Sequence, residues 1–160
     1  MARRVFISFQ HDDRMKAKGF NLLRWNKNVG IEFVGRHLLD PVDSDNENYI
    51  KKCIRDQLRG TSVTVVLLGE DTHESEWVQW EIEQSVSKEN PNGILAIRLG
   101  PGVPLPAESP VGKTLSDAGA EIIDWHPQQF GDAIERAART TGRVRQIAAS
   151  VGTGGSSCAR

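Results

Sequence analysis

Val63-Thr64-Val65-Val66-Leu67-Leu68 is an almost unbroken run of β-branched and apolar residues, the pattern of a strand buried on both faces. Such a strand needs helices above and below it, so the chain is expected to build a layered α/β structure around this segment. The flanking segments agree. Val5 to Phe9 is a second β-rich run, followed by Gln10-His11-Asp12-Asp13, a polar group able to open a helix. That helical stretch carries Met15, Phe20, Leu22, Leu23 and Trp25 and stops near Gly30. Ile31 to Val34 reads as a strand, and a polar loop through Pro41 and Asp45 follows it. Ile50, Ile54 and Leu58 then recur every four residues with Cys53 beside them, which places one apolar stripe on a helix ended by Gly60.

Beyond the central run, Gly69 to Glu76 is expected to be a loop and the next helix to reach about Glu89, where Asn90-Pro91-Asn92-Gly93 ends it. Ile94 to Leu99 is a further strand. Gly100 to Pro110 holds four of the seven prolines and reads as an irregular loop. Ala120 to Ile123 makes a short last strand, and Phe130 to about Val151 an amphipathic helix through Ile134, Ala137, Ala138 and Ile147. Five strands alternating with helices predict a flavodoxin-like α/β fold: three layers, a central five-stranded parallel sheet and strand order 2-1-3-4-5. One domain is expected over residues 1–151, with 152–160 as a disordered tail. In this topology ligands bind beyond the carboxyl ends of the strands, at the switch point between strands one and three. The loops after Phe9 and after Leu68 are therefore expected to line a site.

Composition narrows the chemistry. Twenty basic and twenty-one acidic residues leave a net charge of −1, which gives no electrostatic case for nucleic acid. Two cysteines, Cys53 and Cys158, form no CxxC pair and read as reduced thiols. No apolar stretch approaches the ~20 residues of a membrane span, and the apolar run behind Arg3-Arg4 is too short for a signal peptide. A soluble cytoplasmic protein without membrane contact is expected. No GxGxxG or GxxxxGK[ST] is present to cradle phosphates, and no G-x-S-x-G suggests a hydrolase elbow. Asp40, Asp43, Asp45 and Glu47 lack the spacing of a calcium loop, so no metal is expected. Arg136, Arg139, Arg143 and Arg145 read as the solvated face of the last helix.

On the helix after Glu76, Val78, Ile82 and Val86 form the expected core stripe, with Ser85 alongside. At about 100° per residue, Glu81 then lies about 100° from the middle of that stripe, beside Trp77 and at the border of core and solvent. Trp80 points nearly opposite the stripe and is expected to be exposed or covered from outside the fold, a candidate for contact with a partner.

Arg4-Val5-Phe6-Ile7-Ser8-Phe9 resembles the first strand of TIR domains, and Ser75-x-Trp77-Val78-x-x-Glu81 resembles their S-x-W-C-x-x-E helix, with Val78 where many members have Cys. The nearer resemblance, covering roughly Arg3 to Leu99, is to the TIR-like family of Thoeris anti-phage systems. It implies cleavage of the nicotinamide–ribose bond of NAD+, which enters as substrate with no further cofactor, and closure of the product into a cyclic ADP-ribose isomer. Glu81 would be the catalytic residue. Phe9 would stack on the dinucleotide, Ser8 and His11 would hydrogen-bond it, and Trp77 would wall the pocket. The same resemblance implies a separate effector reached through the nucleotide product, self-association, and a phage-derived trigger. The alternative is a non-catalytic TIR-like module that signals by self-association, in which Trp80 and the loop Asp40 to Asn48 would matter more than Glu81.

Overall fold

The computed structural model describes residues 3–23, 33–36 and 47–150. The expected tail 152–160, Trp25 and the polar loop through Pro41 lie outside the described residues. The elements follow in alternation: β1 (Arg3–Ser8), α1 (Arg14–Leu22), β2 (Phe33–Arg36), α2 (Glu47–Leu58), β3 (Val63–Leu68), α3 (Glu76–Ser87), β4 (Gly93–Arg98), α4 (Pro110–Asp117), β5 (Glu121–Ile123) and α5 (Pro127–Ser150). The five strands pair in parallel in the order β2-β1-β3-β4-β5, the expected flavodoxin-like arrangement. Among the described residues no helix is long and apolar enough to cross a membrane.

All six residues of β3 are buried, as a strand at the centre of a covered sheet must be. Side-chain alternation divides the core. Val5, Ile7, Val63, Val65, Leu67, Leu95 and Ile97 face one layer, where Ala17 and Phe20 of α1 and Phe130, Ala133, Ile134 and Ala137 of α5 cover them. Val66, Leu68, Ile94 and Ala96 face the other way, under Val78 and Ile82 of α3 and Val111 and Leu115 of α4. On that second face Phe6 meets Ile54 and Leu58 of α2. Gly60 closes α2 with φ of 82°, a left-handed turn that a side chain rarely adopts.

Two expectations about packing are corrected, and one helix is added. Met15 and Leu22 are 75% and 62% exposed, because Ala17 and Phe20 define the buried side of α1 and these two lie roughly opposite it. Val86 is exposed, and Ser85 completes the buried stripe of α3 with Val78 and Ile82. The segment before Pro110 has no regular element, but α4 follows at once. Ser109 caps it by accepting from the Gly112 amide at 3.1 Å, with Pro110 at the first turn, a helix start that is written in the sequence.

Ser85 is tolerated in the core because its hydroxyl is satisfied twice. It donates to the Glu81 carbonyl at 2.7 Å and lies 2.7 Å from Thr64 Oγ1 on β3. Asn92, 3% exposed, extends the network by donating from Nδ2 to Thr61 Oγ1 at 2.8 Å and Thr64 Oγ1 at 2.9 Å, while its amide donates to the Ser85 carbonyl at 2.9 Å. The network fixes the end of α3 to the sheet. Asn92→Ala strips donors from two buried hydroxyls and is expected to cost about 1–3 kcal/mol in urea unfolding. A change within experimental error would show that apolar packing alone holds the helix.

Candidate active site

Glu81 and Ser8 meet at the carboxyl end of β1. Ser8 ends the strand on the α2–α3 face of the sheet, paired in register with Val66 of β3, and is 1% exposed. Its hydroxyl donates to Glu81 Oε1 at 2.5 Å. The exchange of Val86 for Ser85 in the stripe explains the contact. With Val78, Ile82 and Ser85 buried, Glu81 lies about 70° from the stripe centre, about 30° closer to the core than the apolar pattern suggests. The residue keeps some accessible surface, but its carboxylate is deeply placed. Burial pushes its pKa up to about 7, against the opposing pull of the Ser8 hydrogen bond.

The N-terminal turn of α3 is fixed by Ser75, which accepts from the Val78 amide at 3.1 Å. That turn carries Trp77, one turn before Glu81 and 41% exposed. Its ring meets Trp80 edge to face, with centroids 5.9 Å apart. Trp80 is not covered from outside the fold; it packs on the Phe6, Ile54 and Leu58 cluster beneath α2. Two cations of α2 lie over these rings. Lys51 Nζ is 5.9 Å from the Trp77 centroid and 5.3 Å from that of Trp80, and the Arg55 guanidinium is 5.9 Å from Trp80. Lys51 also pairs with Glu47 at 3.1 Å. The motifs do not single out these cations, although Lys51 and Arg55 are spaced i, i+4 and so share a side of α2.

The structure does not gather all the expected residues. Phe9 follows Ser8 and therefore turns to the other layer, packed against the α1–α5 core and away from Glu81. His11 opens a short 3₁₀ turn, His11–Asp13, and its side chain lies outside the described residues. The loops after β1 and β3 do meet, as the topology requires. Thr72 donates to Asp13 Oδ2 at 3.3 Å and accepts from the Gly69 amide at 2.8 Å, and a Cβ at Gly69 would collide with the Asp13 carboxylate. Beside this junction is a cavity of about 260 Å³ lined by Gln10, Asp12, Asp13, Glu70 and Asp71. Desolvation, opposed by the Thr72 bond, and the neighbouring acids raise the Asp13 pKa. Four carboxylates make this cavity a poor seat for phosphates, and Glu81 is not among its walls. Among the described residues no cluster of three or more metal-ligating side chains occurs.

The raised pKa of Glu81 ties stability to pH. Glu81 binds its proton more tightly folded than unfolded, so its contribution is fully present below about pH 4.5 and is lost as pH rises through about 7. Over that window the stability difference between the wild type and Glu81→Gln should shift by on the order of 3 kcal/mol in favour of the Gln variant, and then level off. Urea titrations at several pH values check it; parallel curves for the two proteins would mean that the carboxylate is well hydrated.

Residues 6–101 match the family model of the Thoeris protein ThsB, TIR-like domain. A relative from Bacillus cereus (strain MSX-D12), named "Putative cyclic ADP-D-ribose synthase ThsB1", is 33% identical over 95 residues, a stretch that is 56% of this chain and 49% of that protein. The chain thus spans about half the length of this curated relative. Among solved structures, a 3-dehydroquinate dehydratase-like protein from Bifidobacterium longum is 17% identical with a TM-score of 0.46, covering 88% of this chain and 98% of that one. The TIR domains of the activated Roq1 resistosome are 14% identical with a TM-score of 0.43, covering 91% of this chain and 85% of that one. Both scores are too low to bear on function.

Proposed function

The chain belongs to the family of Thoeris ThsB TIR-like domains, and from that premise we propose that it is an NAD+-consuming enzyme of anti-phage defence with Glu81 as its catalytic carboxylate. The observation that supports this most is the desolvated Glu81 at the carboxyl edge of the sheet, in the stretch that matches the family. When the nicotinamide–ribose bond breaks, the bonding pair leaves with nicotinamide, which departs neutral, and positive charge appears on the ribose. An ionised carboxylate in a low-dielectric setting opposes that charge far better than one in water. The product then depends on what attacks the ribose carbon. Water yields ADP-ribose; a nucleophile of the same molecule yields a cyclic isomer, each releasing one proton. Cyclisation is the reading that the relative's name supports.

The surroundings suit the rest of a dinucleotide. The exposed Trp77 ring offers a wall to the nicotinamide or the adenine, and Lys51 across from it offers a cation to the pyrophosphate. His11, at the loop after β1, is kept as a candidate contact to the substrate. Signalling would run through the nucleotide product to a separate effector, with a phage-derived trigger and self-association controlling the enzyme. The purely interacting alternative gains little, since Trp80, on which it leaned, is packed against α2.

Incubating the chain with NAD+, alone and with phage-infected lysate, is expected to release nicotinamide in at least one condition. Release should rise with pH through about 7 as Glu81 ionises. Glu81→Gln should lower the rate by on the order of 10²–10³-fold. No Glu81-dependent loss of NAD+ in either condition would sink the reading. Lys51→Ala should raise KM by about fivefold with little change in kcat, the size of one partly exposed charge contact. A kcat loss with unchanged KM would remove Lys51 from substrate binding.

A further inference from the structure

We propose that Ser8 is a positioning residue for Glu81, its buried hydroxyl aiming the carboxylate from the end of β1 and opposing its protonation, and that it makes no contact with substrate. This rests on the reading of Glu81 as the catalytic carboxylate. A serine hydroxyl carries one proton, and here that proton is directed at Glu81 Oε1, 2.5 Å away. Only 1% of Ser8 is exposed, so little of it is left for a ligand to reach. The donor is also rigidly mounted. Ser8 is the last residue of a strand paired to β3, whereas a loop serine would let the carboxylate drift.

Among the described residues no other side chain is found hydrogen-bonded to the Glu81 carboxylate. Helix α3 packs on β1, β3, β4, α2 and α4. Of the charged side chains on those elements, Lys51 and Arg55 of α2 rest on the tryptophan rings, Glu47 pairs with Lys51, and Lys52 pairs with Asp56. Arg4, on the Ser8 face of β1, sits beside Gly60 at the opposite end of the strand, Arg3 is directed to Glu135 and Arg98 of β4 to Asp124. Lys113 and Asp117 of α4 are exposed. β3 carries no charged residue. Ser8 is therefore the counterweight to desolvation: it favours the charged form that burial disfavours, and its removal moves the balance toward the neutral acid.

The test compares wild type, Ser8→Ala and Ser8→Thr by carboxyl ¹³C NMR titration, with the Glu81 resonance identified by its loss in Glu81→Gln, and by nicotinamide release across pH. Ser8→Ala is expected to raise the Glu81 midpoint and to carry the acidic limb of the rate profile upward with it. At pH 7 the rate should fall about fivefold for a rise of the midpoint by one whole pH step, and about tenfold for each further step, and most of the loss should be recovered near pH 9, with KM unchanged. Ser8→Thr keeps the hydroxyl and should restore the midpoint, which separates the hydrogen bond from packing and covers the case in which the Ala variant fails to fold. An unmoved midpoint in Ser8→Ala overturns the proposal, as does a raised KM with an unchanged pH profile, the mark of a substrate contact. If Glu81→Gln releases nicotinamide as fast as wild type, the catalytic reading fails, while the NMR titration still decides whether Ser8 governs the carboxylate.

Discussion

One carboxylate held out of water at the end of a buried strand is the constraint around which this structure is arranged. Glu81 gains a single side-chain hydrogen bond among the described residues, from Ser8, and burial still outweighs it, leaving the group poised near neutrality. A carboxylate in that condition is costly to the fold, and proteins keep such groups where chemistry needs them. On the proposed function, stability and reactivity are therefore set by the same few ångströms.

The position of Glu81 depends on features at both ends of its helix. At the N-terminus Ser75 caps the first turn and Thr72 locks the preceding loop to Asp13. At the other end Ser85, Thr64 and Asn92 form a buried polar network that replaces apolar contact with directed bonds. Apolar side chains tolerate small rotations of a helix; hydrogen bonds at 2.7–2.9 Å do not. The sheet supplies the remaining reference point, since Ser8 is fixed by its pairing with β3. From α2, Lys51 and Arg55 lie over the two tryptophan rings of α3, which gives that side of the helix an aromatic and cationic character. The acidic cavity under the β1 and β3 loops is a separate place with the opposite electrostatic character.

Much of this is legible in the sequence because burial is written as periodicity. The unbroken Val63–Leu68 run announces a central strand, and alternation of runs and helical stripes announces the parallel sheet. Glu81 and Trp77 stand out through a motif. What periodicity cannot show is which polar residues are buried. Ser85 looks like surface and Val86 like core, and only the partners Thr64 and Asn92, remote in sequence, reverse that order. Trp80 looks unpartnered because its cover comes from Ile54 and Leu58 on another helix. Phe9 groups with Ser8 by adjacency, whereas strand alternation sends the two to opposite layers. Helix α4 escapes notice although Ser109-Pro110 marks its start, since the prolines before it draw the segment into a loop.

Where the substrate sits tests the account most directly. A crystal structure of Glu81→Gln with NAD+ bound should place the ribose carbon that bears nicotinamide within about 4 Å of the substituted side chain at position 81, with the Trp77 ring against one of the bases and the pyrophosphate toward Lys51. NAD+ seated instead in the cavity of Gln10, Asp12, Asp13, Glu70 and Asp71, with position 81 remote from the ribose, would contradict it.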